Sequence, residues 1–171
     1  MTNRTIGDPM AGVGHPVGGI MRGTRTWVLV MSGVHARILR DVEDAEADEP
    51  VELVSRAVST HLRDIQSDKP GRSFSSGSGG RRSAIEPGSD PVHRDMQDFA
   101  SDAAEYLERH RRAGDFTRLA VFAEPKMLGI VRDEFPEALW ATVVLDLPTN
   151  LIGLEPRELR ERVLDHLRSG S

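Results

Sequence analysis

Between Gln66 and Asp90 the chain reads QSDKPGRSFSSGSGGRRSAIEPGSD, and this stretch holds the residues best suited to chemistry. Lys69, Arg72, Arg81 and Arg82 are cations, and arginine binds phosphate oxygens bidentately. Gly79 and Gly80 carry no side chain, so their backbone N–H groups can approach an anion closely. Phe74 offers a ring face on which a nucleobase can stack. Three carboxylates, Asp68, Glu86 and Asp90, oppose those four cations, so the stretch is only slightly basic as a whole. From Arg72 to Arg82 every charge is positive. The same composition also describes a solvated linker with spaced charges.

Other chemistry finds less support. A hydrolase acting on an ester would need a base, and His35 and Glu86 have the right side-chain types for it. His35 also reads as a polar residue at a strand edge. Two-metal nucleases need several carboxylates converging on cations about 4 Å apart. Here the first strand has no acid, and Glu124 and Asp146 lie far apart along the chain. The six histidines show no zinc-ligand spacing. The Gly77 to Gly80 run lacks the lysine and the strand-to-helix context of a phosphate loop. We therefore assign no metal and no cofactor.

The arginine-bearing stretch must be held by its neighbours. Thr26 to Ser32, TWVLVMS, is apolar on both faces, as a central strand should be. Ser32-Gly33 marks a turn, and Val34 to Asp41 alternates as a hairpin partner. Glu52 to Val58 reads as a third strand, and His61 to Ile65 as a helical turn. Residues 66–90 cannot bury enough surface to offset their ordering entropy, so a flexible loop is expected. Asp90-Pro91 then opens a helix with an N-cap and a first-turn proline. Met96, Phe99, Ala100, Ala103 and Leu107 form its buried stripe, and Gly114 caps its end. Phe116 to Ala123 is another buried strand. Pro125 starts a short helix with Met127, Leu128, Val131 and Phe135 inward. Trp140 to Leu147 is the fifth strand, and Pro156 to Arg168 a final amphipathic helix.

This β-β-β-α-β-α-β-α order predicts an α/β fold. The two most apolar strands, first and fourth, belong side by side at the centre, parallel through a helical crossover. Short connections make strands one to three an antiparallel meander. The predicted sheet order is 3-2-1-4-5, an RNase H-like arrangement flanked by about three helices. The unpaired third and fifth strands are edges through which a dimer can form, and the oligomeric state stays open.

The chain has 171 residues, enough for one domain with a real core. We expect a disordered leader over 1–24 and a single α/β domain over 25–169; a translation start at Met21 is the second reading of that leader. With no cysteine, disulfides and thiolate chemistry are excluded. A reducing cytoplasmic location fits this. A net charge of -5 argues against a protein that coats nucleic acid generally. No run of about 20 apolar residues is present to cross a bilayer, so no membrane partner is expected.

TWVLVMSGVHARILR, DKPGRSFSSGSGGRRSAIEP and FTRLAVFAEPKMLGIVR resemble the bacterial host-attachment family. Its members are labelled proteins required for attachment to host cells, and they are grouped with bacterial relatives of the peptide-release-factor middle domain. The resemblance implies the RNase H-like, translational-machinery-component fold. In release factors the loop after the antiparallel strands carries Gly-Gly-Gln and helps water attack peptidyl-tRNA. Here Gly79-Gly80 is followed by Arg81, which binds phosphate but cannot accept a proton. The leading expectation is a non-catalytic, release-factor-like domain that contacts RNA or the ribosome through the loop. A hydrolase acting on peptidyl-tRNA, and a protein-interaction module that affects attachment indirectly, are the alternatives.

Overall fold

The computed structural model describes residues 23–60 and 90–170. The leader up to residue 22 and the stretch 61–89 lie outside them.

β1 (Thr26–Met31) buries all six of its residues. Trp27, Leu29 and Met31 enter one core, and Val28 and Val30 enter the other. A strand that is apolar on both faces must be sandwiched between layers. β2 (His35–Leu39) pairs antiparallel with β1, with Leu29 opposite Ile38. β3 (Val51–Val54) pairs antiparallel with β2. β4 (Arg118–Ala123) runs parallel to β1 in unbroken register from Thr26↔Arg118 to Met31↔Ala123. β5 (Val143–Leu147) adds to β4 in parallel. The five-stranded sheet has the order β3-β2-β1-β4-β5. This is the α/β, RNase H-like order expected from the sequence.

One face carries α1 (Pro91–Ala113), α2 (Pro125–Glu134) and α3 (Glu137–Trp140). The other carries α4 (Pro156–Ser169), which buries Leu159 and Val163 against Val28, Val30 and Phe122. The α1 signals act as read. The Asp90 carboxylate accepts the Val92 N–H at 3.0 Å, Pro91 opens the helix, and Gly114 closes it at φ 78°. Met96, Phe99, Ala100, Ala103 and Leu107 are its buried stripe, joined by Ala104.

Several boundaries differ from expectation. The third strand spans Val51–Val54: the Ser55 N–H still donates to the Val34 carbonyl at 2.8 Å, the last rung towards β2, and the chain turns helical at Arg56. A helical stretch covers residues 56–60, with the Ser59 N–H donating to the Ser55 carbonyl, and the expected helical turn His61 to Ile65 lies outside the described residues. The second strand ends at Leu39, since Asp41 takes φ 45°, which no strand continues. Trp140 belongs to a helix begun at Pro136, and the fifth strand begins only at Val143. The expected three helices are thus joined by α3 and by the stretch 56–60. Val143 and Leu145 pair with the consecutive residues Leu119 and Ala120. Val144 is therefore a β-bulge, and it blunts this edge of the sheet.

Glu108 on α1 accepts from Arg111 at 2.7 Å and from Arg112 at 3.0 Å. The Arg111 hydrogen bond, aided by Arg112 and opposed by burial, lowers the carboxyl pKa from its usual 4.5 to about 2. A depressed carboxyl stabilises the fold above its unfolded pKa and loses that contribution as pH falls through the folded value. The gap in urea midpoint between the natural protein and Glu108→Gln should therefore be constant above about pH 5 and shrink towards about pH 2. A gap independent of pH would contradict this origin. At the other end of the conformational scale, Gly114→Ala forces a side chain into the left-handed region and should cost about 1 kcal/mol in the same denaturation experiment.

Candidate functional site

The carboxyl ends of β1, β4 and β5 gather the loops that can act together. β1 leaves the sheet through Ser32-Gly33-Val34. The buried Ser32 hydroxyl accepts N–H groups from Val34 at 3.4 Å and His35 at 3.1 Å, and donates to the His35 carbonyl at 3.3 Å. That self-contained turn fixes where β2 starts. Gly33 lies beneath α1: a Cβ placed there would sit 3.4 Å from the Met96 methyl group.

β4 leaves through Glu124, whose backbone N–H donates to the Met31 carbonyl at 3.4 Å. The Glu124 carboxylate accepts from the Asn150 amide at 2.9 Å, and the Asn150 oxygen accepts the Ile152 N–H at 3.0 Å. Asn150 thereby pins the segment after β5 across the end of β4. Lys126 on α2 lies 4.0 Å from Asp90 at the start of α1, so the two helices begin side by side.

Two features single out this end. The chain leaves β3 here towards residues 61–89 and returns here at Asp90, as the Ser55, Met96 and Lys126 contacts place both flanks beside the β1–β2 turn. Among the described residues, three of the four exposed large apolar side chains also belong to it: Val34 at 40%, Val54 at 45% and Val92 at 62%. Val54 pairs with His35 across the β2–β3 ladder, and Val92 stands one helical turn before Met96.

His35 sits at this end and is exposed, but its ring makes no hydrogen bond or ion pair with any described residue. A general base needs a partner that fixes its orientation. Lys69, Arg72, Phe74, Gly79, Gly80, Arg81, Arg82 and Glu86 lie outside the described residues. The structure places the end of β3 and the start of α1 at one end of the sheet, where His35 pairs with Val54. Glu124 and Asp146 do not converge. Glu124 is taken by Asn150, and Asp146 accepts from the Arg132 Nε at 2.9 Å. Among the described residues no three His, Asp or Glu side chains group closely enough to hold a metal. Among the described residues, too, no helix is long and apolar enough to cross a membrane.

Two side-chain clusters escaped the sequence reading. The Glu124–Asn150 clasp joins residues 26 apart, with no local signal. The second lies at the opposite, amino end of the sheet. His110 Nδ1 is 2.6 Å from Asp115 Oδ2, and the His110 ring sits 5.0 Å from Trp27 and 4.6 Å from Tyr106. That pair had a readable signal. The Asp115 N–H donates to the His110 carbonyl across the Gly114 cap, so a histidine five residues before an aspartate is brought beside it whenever glycine closes a helix this way.

Residues 27–163 match the model of a family described as protein required for attachment to host cells. The chain belongs to that family. The match runs from β1 into α4 and so takes in all five strands of the sheet. No curated protein matches the chain. Among solved structures it is similar to an archaeal translation termination factor, aRF1, with 9% identity and a TM-score of 0.42. That alignment covers 85% of this chain and 39% of the termination factor, so this host-attachment protein spans well under half of the other's length.

The turn geometry gives a prediction that separates structure from function at this end. Ser32→Ala strips an acceptor from two part-buried N–H groups and should cost about 1–3 kcal/mol. His35→Ala, three residues on and exposed, should change stability by less than about 0.5 kcal/mol. Urea denaturation of both variants checks this, and a large loss in His35→Ala would show that the ring is structural.

Proposed function

We propose that this host-attachment protein is a non-catalytic, release-factor-like domain that binds RNA, on the ribosome, through its arginine-bearing insertion. Lys69, Arg72, Arg81 and Arg82 supply phosphate contacts, Gly79 and Gly80 permit close backbone approach, and Phe74 stacks on a base. The observation that carries the reading is where the insertion is rooted. The described chain leaves β3 and re-enters at Asp90 on the same end of the sheet, the carboxyl end of β1, where Val34, Val54, Val92 and Lys126 are exposed. A cationic segment anchored at two neighbouring points, on a sheet end that already presents uncovered apolar groups, is set up to meet a partner there.

Binding rather than hydrolysis is the better supported activity. Arg81 stands where a proton-accepting or water-positioning side chain would be needed, and no described residue orients the His35 ring. On this reading the protein works in the cytoplasm, and the attachment named by its family follows indirectly from what it binds.

Single-stranded RNA contacts made by four cations give a log–log salt slope of about −3. Co-sedimentation with ribosomes, and anisotropy titrations with labelled RNA over a range of salt, should show that slope for the natural protein. Replacing Lys69, Arg72, Arg81 and Arg82 together by alanine should abolish binding and leave the urea midpoint unchanged. Undiminished RNA binding by that variant, or capture of a specific protein after nuclease treatment with no RNA affinity at all, would overturn the proposal.

A further inference from the structure

At the amino end of the sheet, away from the insertion, the connection between β2 and β3 and the first turn of α4 enclose a groove of about 420 Å³. That volume falls within the roughly 300–1,000 Å³ of small-molecule sites. Its apolar lining includes Leu39, Val42, Pro50 and Pro156. Three arginines also line it: Arg40, Arg157 and Arg160.

Two of these guanidinium groups already have carboxylates. Arg40 pairs with Asp48 at 2.9 Å, and Arg157 with Glu161 at 3.4 Å. Arg160 differs. It is half-buried, and it donates only to backbone carbonyls, from Nε to Val42 at 3.1 Å and from Nη2 to Asp41 at 3.3 Å. Among the described residues it forms no ion pair. Carbonyls fix its orientation without pairing its charge, and no described carboxylate, including Glu49 in the same lining, lies within ion-pair distance of it; a partly desolvated cation gains from an anion brought to it. A guanidinium has five donors, and the two carbonyl bonds leave others unused.

We infer that this groove binds a small organic carboxylate, its anionic head on Arg160 and its apolar body against Val42, Pro50 and Pro156. The head must be compact and singly charged, because Asp48, Glu49 and Glu161 line the same groove and repel a larger or more highly charged anion. The site is independent of RNA binding, since it lies at the other end of the sheet.

Benzoate is a suitable probe, with neutral benzamide as the control of equal shape. Titrating the full chain with benzoate should give saturable amide shifts at Val42, Ala45 and Ala47, and benzamide should give none. Arg160→Gln should weaken benzoate about tenfold, and Arg160→Lys should restore part of the loss. Because Arg160 also holds the Asp41–Val42 turn, a second variant is needed. Ala47 also lines the groove, and a folded Ala47→Phe protein, which adds a ring to that lining and keeps Arg160, should likewise abolish the shifts. Absence of saturable benzoate binding, equal binding of benzamide, or undiminished binding in folded Ala47→Phe would each overturn the inference.

Discussion

The parallel ladder between β1 and β4 places everything else. Six consecutive pairs hold the strands in register, and β1 buries every residue it contributes. Burial on both faces demands a layer on each side, so α1, α2 and α3 cover one face and α4 the other. It also fixes direction. With β1 and β4 parallel, their carboxyl ends open at the same end of the sheet, and the loops that leave them must meet there. Truncating a wholly buried residue such as Leu29 in this ladder belongs to the class of changes that cost about 2–5 kcal/mol.

That constraint turns an unremarkable composition into a located surface. A Gly/Ser/Arg segment on its own is compatible with a linker. The chain leaves the described residues after β3 and re-enters them at Asp90, at the sheet end where Ser32 and Glu124 lie. There the Ser32 hydroxyl and the Glu124–Asn150 clasp tie the described loops down. The amino end of the sheet is built differently. There the His110–Asp115 pair and the Arg160 bonds to the Asp41 and Val42 carbonyls tie the chain down.

Much of the fold was legible because its signals are local. Asp90, Pro91 and Gly114 each act within one helical turn, so α1 could be bounded by reading them. Strand β1 was legible from its unbroken apolar run, and the sheet order followed from the two most apolar strands and the short connections. Boundaries set by tertiary contacts were not. Nothing near Val54 says that the chain will turn helical at Arg56, and Trp140 looks like a strand residue until Pro136 is seen to start a helix. The residues of the proposed RNA surface were named from composition alone, and the fold adds where their segment is rooted. The apolar companions Val34, Val54 and Val92 could not be found without the fold, because each is ordinary in its own segment and only the sheet brings them together.

The central claim is that the carboxyl end of β1 is the working end of the molecule. Amide hydrogen exchange of the full chain, with and without ribosomes, tests it most directly. The account predicts new protection in the segment 61–89 and at its rim, around Ser32 to His35, Val54 to Arg56, Asp90 to Met96 and Glu124 to Lys126. It predicts no change at the amino end, around Arg25, Asp115 and Arg118. Protection confined to the amino end, or none anywhere on the chain, would contradict it.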